Sequence, residues 1–310
     1  MASTKIEWAT DTWNPVTGCT PISEGCANCY AKRMSNRLKG RCGYDAENPF
    51  KITQHPDKMD QPLRWRKPRM IFVCSMGDLF HEDVPDEWIL RVFNTIRKCS
   101  PGVGDYPVHT FLILTKRPER MRNVIMRMRF NRDKNPMMYL DKEGDLTGYP
   151  IGQRIKNVWL GVTAENQARA DERIPILLQI PAAVRFVSVE PMLGEVDMTF
   201  DVGTGEGHRD SFFNYGLSWA IVGGETGPGA RPIHPAWVRS LRDQCQAAGV
   251  PFFFKSWGDW RECEPPDQWN SIKHKTMQPH GMHFVNLGKK AAGRLLDGQE
   301  WNEYPGLEVT

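Results

Sequence analysis

No run in this 310-residue sequence approaches the roughly 18 consecutive apolar residues that a membrane helix needs. The opening Met1-Ala2-Ser3-Thr4-Lys5-Ile6-Glu7 lacks the apolar core of a signal peptide, so a cytoplasmic protein with no membrane partner is expected. Cysteine is too sparse for a disulfide scaffold: the eight present read as free thiols or metal ligands in a reducing compartment. A dominant charge is missing too. The net charge is only +3, so a phosphate-binding footprint would have to come from local clustering. Internal repeats, low-complexity tracts and a Gly-x-Ser-x-Gly elbow are absent, which excludes solenoids and leaves Ser-His-Asp hydrolysis unsupported. With 40% hydrophobic and 25% charged residues, what remains is an ordinary globular composition able to build one large core.

Short β-branched and aromatic runs recur, each followed by a polar turn and a helical pattern. Strands are expected near Ile6 to Trp8, Met70 to Cys74, Thr110 to Thr115, Val158 to Thr163, Val184 to Val189, Trp219 to Val222 and Pro251 to Lys255. Helices are expected over Asp86 to Lys98, Pro118 to Phe130, Asn166 to Gln179 and Pro235 to Ala248. Such alternation implies parallel βαβ crossovers, either doubly wound or rolled as a barrel. Six or seven units favour the barrel. The expected fold class is therefore α/β, a partial parallel (β/α) barrel over residues 1–258, with insertions near 131–155 and 201–215. An irregular C-terminal cap follows over 259–310.

Polar residues collect where the expected strands end, on the face where such folds build their sites. They are Ser75 and Asp78, then Thr115 to Arg117, Thr163 and Glu165, Ser188 and Glu190, Gly223 to Glu225, and Lys255 with Trp257.

After the first strand, the loop 18–30 reads Gly18-Cys19-Thr20-Pro21-Ile22-Ser23-Glu24-Gly25-Cys26-Ala27-Asn28-Cys29-Tyr30. Three thiols in eleven residues suit a metal, because short spacings let one loop wrap a site at little closure cost. Three readings stay open. A structural zinc site would need Cys42 as a fourth ligand. A thioredoxin-like Cys-x-x-Cys would leave Cys19 unexplained. An iron-sulfur cluster bound by three cysteines would leave one iron open for a small-molecule ligand.

Three cysteines after the first strand of a parallel barrel, ending in Cys-x-x-Cys beside an aromatic, resemble the cluster loop of radical S-adenosylmethionine enzymes. The first gap here is six residues where that superfamily most often has three, and Tyr30 follows the last cysteine where the aromatic commonly precedes it. Over nearly the whole chain the sequence is more similar to an uncharacterised three-cysteine-motif family of phages and bacteria. The resembling stretches are Trp13 to Cys19, Ser75 to His81, Leu114 to Pro118, Ser188 to Pro191 and Val222 to Glu225.

The superfamily resemblance implies a 4Fe-4S cluster on Cys19, Cys26 and Cys29, with the open iron chelating S-adenosyl-L-methionine. It also implies reductive cleavage of that cofactor to a 5′-deoxyadenosyl radical, and an electron donor such as a flavodoxin or ferredoxin. By strand order it places Ser75 and Asp78 near the methionyl amine, Thr163 and Glu165 near the ribose, and Ser188 and Glu190 near the cofactor. Gly223-Gly224-Glu225 resembles a glycine-glycine-glutamate signature that in the superfamily follows the second strand. Here it follows the sixth, so the amine-binding role is not carried over. Glu225 stays a cofactor-binding candidate through its glycine-rich loop, whose amides could cradle an adenine edge or a phosphate; a tight turn is the alternative. A partner protein of the family is also conceivable.

The substrate class rests on charge. Eight basic residues lie between Lys116 and Lys134, and Arg64-Trp65-Arg66-Lys67-Pro68-Arg69 adds a second basic stretch containing an aromatic. Together they would suit a nucleic acid or nucleotide, repaired or modified, with Trp65 as a stacking surface; a solvated helix face is the alternative. Two rival functions remain. One is a zinc-stabilised nucleic-acid-binding module using Cys42. The other is a metal-dependent hydrolase built on Asp78, His81, Glu190 and Glu225.

Overall fold

Seven parallel strands carry the fold: β1 (Asp11–Trp13), β2 (Met70–Val73), β3 (Thr110–Thr115), β4 (Val158–Thr163), β5 (Val184–Val189), β6 (Leu217–Gly223) and β7 (Phe252–Ser256). The computed structural model describes residues 4, 6–103, 105–130, 138–140, 149–150, 156–201, 209–263 and 275–306. Within the sheet the strands follow chain order from β1 to β7 without reversal. A doubly wound sheet reverses its order at a switch point, so this is the winding of a (β/α) barrel. Since β1 and β7 stand at the two ends of the order, the barrel is partial. The helices are α1 (Tyr30–Arg37), α2 (Asp86–Lys98), α3 (Pro118–Arg127), α4 (Gln167–Leu178) and α5 (Pro235–Ala247).

The first expected strand is misplaced. Ala9 N–H bonds Ile6 O and closes a turn there, and pairing with β2 begins at Asp11. Helix α3 is shorter than expected, because Met128 turns extended (φ −70°, ψ 130°) and opens a short strand, Met128–Phe130. That strand pairs antiparallel with Met138–Leu140 and Tyr149–Pro150, inside the expected insertion. The second insertion contributes the antiparallel pair Thr199–Asp201 and Arg209–Ser211. The remaining residues of both insertions, with Arg132, Lys134 and the Glu264-Pro265-Pro266 stretch, lie outside the described residues. Trp260–Glu262, Thr276–Met277 and Phe284–Asn286 form a separate three-stranded sheet.

The chain packs as two compact units. The first comprises Met1–Ile22, Ala31–Val162 and Arg173–Phe186. Its core sets Trp13, Ile71, Phe111, Ile113 and Trp159, all nearly or fully buried, with Ile89, Val92, Phe93 and Ile96 of α2. The spacing of those four gives the helix its apolar stripe, while Asp86 and Glu87 at its start and Lys98 at its end suit the helix dipole. Gly161 has a packing reason, since a Cβ there would meet the Phe186 ring.

The second unit comprises Ser23–Tyr30, Thr163–Glu172 and Val187–Thr310. Its core holds Trp219, Ile221, Val222, Phe252, Phe253 and Phe254 with Val238 and Leu241 of α5. Residues near the C-terminus run along β7: Phe254 N–H bonds Trp301 O, Glu303 N–H bonds Phe252 O, and Phe253 bridges Asn302 antiparallel.

Candidate functional site

In the first unit, Cys19 is delivered by a glycine. Gly18 has φ +91°, its N–H bonds Met76 O at 3.0 Å, and a Cβ there would run into the Lys51 carbonyl. Next to it Cys19 N–H bonds Phe50 O. The Cys19 sulfur lies 3.4 Å from a guanidinium nitrogen of Arg117 and 3.4 Å from the Thr20 carbonyl. A guanidinium N–H aimed at sulfur is a setting in which thiolates are held.

Arg117 is the hub of this cluster and only 5% exposed. Its Nε donates to Glu82 at 3.0 Å, one terminal nitrogen reaches Asp78 at 3.3 Å, and the other donates to Thr20 O and Oγ1 at 3.1 and 3.0 Å. Asp78 also accepts from Thr115 Oγ1 (2.8 and 2.9 Å), Phe80 N–H and Lys116 N–H. His81 completes the cluster. Its Nδ1 accepts from Asp83 N–H, so Nε2 carries the proton and donates to Thr20 Oγ1 at 2.8 Å. Burial first, and then the Arg117 charge, pull the His81 pKa down against the acidic neighbours Glu82, Asp83 and Asp78. That direction favours the neutral imidazole, with the carboxylates of Glu82 and Asp83 at 3.7 and 3.8 Å from Nδ1.

In the second unit, the turn bearing Cys26 and Cys29 is clamped on two sides. After β4, Glu165 is fully buried and accepts from Ser23 Oγ at 2.5 Å, while a Cβ on Gly25 would collide with its carboxylate. Ser23 Oγ also lies 3.6 Å from the Cys26 sulfur. Glu24 accepts from Asn166 Nδ2 and from Arg169 at 3.2 and 3.3 Å. Its own backbone N–H, then Asn166 and Arg169, outweigh burial and lower its pKa to about 2.

After β6, Glu225 accepts from Arg231 through Nε (2.9 Å), a terminal nitrogen (2.6 Å) and the backbone N–H (2.9 Å). Asn28, inside Cys-x-x-Cys, donates to Glu225 at 2.9 Å and to Gly229 O at 2.8 Å. Arg231 further donates to Glu24 O at 3.1 Å. Burial raises the Glu225 pKa, but Arg231 and Asn28 outweigh it and the net direction is down. The amides of the glycine-rich loop are largely taken, since Gly227 N–H goes to Asp259, Ala230 N–H to Gly227 O and Arg231 N–H to Glu225. The loop is thus built as a tight turn.

The other candidates are placed as follows. Ser75 Oγ donates to Asn14 Oδ1 at 3.3 Å, Thr163 is buried at the end of β4, and Ser188 O accepts from Ala164 N–H. Glu190 pairs with Lys255, beside Gly223, where a Cβ would crowd the carboxylate. Asn28, Arg231, Thr20 and Asn14 carry no signal in the sequence, whereas Arg117 stands there both at a strand end and in the basic run.

That basic run is largely engaged inside the protein. Arg117 is buried, Arg120 and Arg127 pair with Asp86, and Arg122 donates to Gln179. Trp65 is no stacking surface, being only 4% exposed with the Arg69 guanidinium 5.0 Å over its ring. Among the described residues no three His, Cys, Asp or Glu side chains are grouped as a metal site. The hydrolase reading also loses its donors to internal partners: Asp78 to Thr115 and Arg117, Glu190 to Lys255, and Glu225 to Arg231 and Asn28.

Three of the other five cysteines, Cys74, Cys99 and Cys245, differ from the loop thiols in kind. Burial pushes Cys74 and Cys245 far above the ordinary thiol range and Cys99 up to about 11, so these stay protonated and inert. Cys19, Cys26 and Cys29 are partly exposed thiols outside any disulfide, and Cys42 is exposed at φ +53°.

No curated protein matches the chain. Two solved structures are similar to it. One is spore photoproduct lyase complexed with dinucleoside spore photoproduct, at 11% identity and a TM-score of 0.39, covering 90% of this chain and 68% of that one. The other is a cysteine-to-serine mutant of spore photoproduct lyase, at 13% identity and a TM-score of 0.41, covering 94% of this chain and 72% of that one. No helix among the described residues is long and apolar enough to cross a membrane. Matched over residues 3–305, the chain belongs to the family described as "Protein of unknown function (DUF5131)".

Proposed function

We propose that this chain is a radical S-adenosylmethionine enzyme whose Cys19, Cys26 and Cys29 hold a 4Fe-4S cluster. One observation carries the reading: the loop after β1 of a sheet wound as a partial barrel bears three partly exposed thiols, while Cys74, Cys99 and Cys245 are buried and protonated. The donor set suits iron, since thiolates are its ligands in such clusters. When bound, cluster and cofactor would supply a 5′-deoxyadenosyl radical.

In this reading Arg117, Asp78 and Thr20 hold the Cys19 end of the loop, and Glu165, Glu225, Asn28 and Arg231 hold the Cys26–Cys29 turn. We assign cofactor contact to Ser75, Thr163, Ser188 and Glu190, which stand at the ends of β2, β4 and β5, the face where α/β barrels bind ligands. The reductant would be a flavodoxin or ferredoxin. A nucleic acid or nucleotide is the proposed substrate class, met by the exposed Arg64, Arg66 and Lys67.

Anaerobic reconstitution with iron and sulfide tests the reading. Brown protein with broad visible absorption is expected, lost in Cys26→Ala and retained in Cys42→Ala. Dithionite with S-adenosylmethionine should then release 5′-deoxyadenosine. Colourless protein that retains one zinc, lost in Cys42→Ala, would overturn the reading in favour of a structural zinc site. For the substrate class, a gel shift with single-stranded DNA should weaken when Arg64, Arg66 and Lys67 become glutamine, and unchanged binding rejects that surface.

A further inference from the structure

The residue between the two cysteines of Cys26-Ala27-Asn28-Cys29 is tied to a segment about two hundred positions away. Asn28 Nδ2 donates to Glu225 Oε2 (2.9 Å) and to Gly229 O (2.8 Å), so both amide hydrogens are used. Glu225 is only 6% exposed and is itself fixed by three bonds from Arg231. Arg231 reaches back to the Glu24 carbonyl, closing a ring of hydrogen bonds around the turn. Gly229, at φ +80°, leaves the room Asn28 needs, since a Cβ there would press on the amide oxygen.

By itself the turn is weakly built. Its backbone bonds are short-range, Cys26 N–H to Ser23 O, Ala27 N–H to Glu24 O (3.4 Å) and Cys29 N–H to Cys26 O (3.3 Å), and a single short turn does not hold its shape in water. Its conformation has to be imposed from outside.

We infer that Asn28, Glu225 and Arg231 are positioning residues that set the Cys26–Cys29 turn and thereby how firmly its thiols retain a metal group. The part concerning metal retention rests on the proposed function; the part concerning the turn does not.

The full-length, metal-free protein tests the first part. In Asn28→Ala, at a half-buried position and with folding checked by circular dichroism, the amides of Cys26, Ala27 and Cys29 should exchange about tenfold faster, as loss of a hydrogen bond to a charged group predicts. Glu225→Gln should accelerate them as well, while Lys32→Ala, at an exposed position, should not. Unchanged exchange in both Asn28→Ala and Glu225→Gln overturns the inference. In reconstituted protein, Asn28→Ala should shorten the lifetime of the cluster against a chelator about tenfold and shift its reduced-state electron paramagnetic resonance signal. Faster exchange with an unaltered lifetime and signal would show a purely structural contact and overturn the positioning role. Wild-type protein that takes up no cluster defeats the proposed function instead, and the metal-free exchange then decides the placement of the turn by itself.

Discussion

Arg117 shows what a single buried charge does in this protein. Its side chain is 4% exposed and that of Asp78 is 7%, so each is dry and depends on the other. Glu82, 64% exposed, adds little, because a solvated carboxylate gains little from pairing. Arg117→Leu would leave Asp78 buried with its charge partner gone, which costs about 3–5 kcal/mol. Arg117→Lys keeps the charge but cannot fork between Asp78, Thr20 and the Cys19 sulfur, so it should cost less but still measurably. Urea midpoints of the two variants check the order, and an Arg117→Leu midpoint equal to wild type would show that the pair is solvated in solution. Asp78 is accordingly engaged by Thr115, Phe80, Lys116 and Arg117 within the first unit.

Elements differ in how plainly the sequence announces them. Thr110–Thr115, Val158–Thr163, Val184–Val189 and Asp86–Lys98 begin and end where periodicity places them, because each is long and its apolar residues repeat cleanly. Strand β1 is three residues with one fully buried side chain, Trp13, and no period can be read from Asp-Thr-Trp. The candidate site divides the same way. Three crowded cysteines are visible by spacing alone, whereas Cys19 and Arg117 are 98 positions apart and Asn28 and Glu225 are 197 apart, contacts that only the winding of the sheet creates.

Within the expected C-terminal cap, the segment 296–304 has a definite role. It occupies the open side of β7 through Trp301 O and the Glu303 backbone, while Glu303 Oε2 accepts from Phe252 N–H at 2.8 Å and Gln246 steadies that carboxylate. A partial barrel has an unpaired edge there, and uncovered edges pair with other chains. Deleting residues 300–310 should therefore yield concentration-dependent association in light scattering. A truncated protein that stays monomeric at high concentration would show the edge to be protected by something else.

At the scale of the molecule, the balance of buried titratable groups sets the response to acid. Three histidines of the first unit, His55, His81 and His109, are 4%, 3% and 0% exposed, and burial lowers the pKa of each below its ordinary value of about 6.5. His109 shows why. Its Nε2 bonds Pro62 O at 3.1 Å, while Nδ1 has no hydrogen-bond partner among the described residues, so a proton added there would be buried and unsolvated. A group whose folded pKa is depressed contributes stability that is complete above its unfolded pKa and is lost as pH falls through the folded value. Stability should therefore be level above about pH 6.5 and decline below it, well before Glu24, held at about 2, begins to titrate. The urea midpoint should fall between pH 7.5 and 5.5, and His109→Gln, which retains a donor for the Pro62 carbonyl but cannot be protonated, should make the decline shallower. A midpoint independent of pH over that interval, or a His109→Gln profile parallel to wild type, would mean that these imidazoles reach solvent and that their burial does not govern the acid limb.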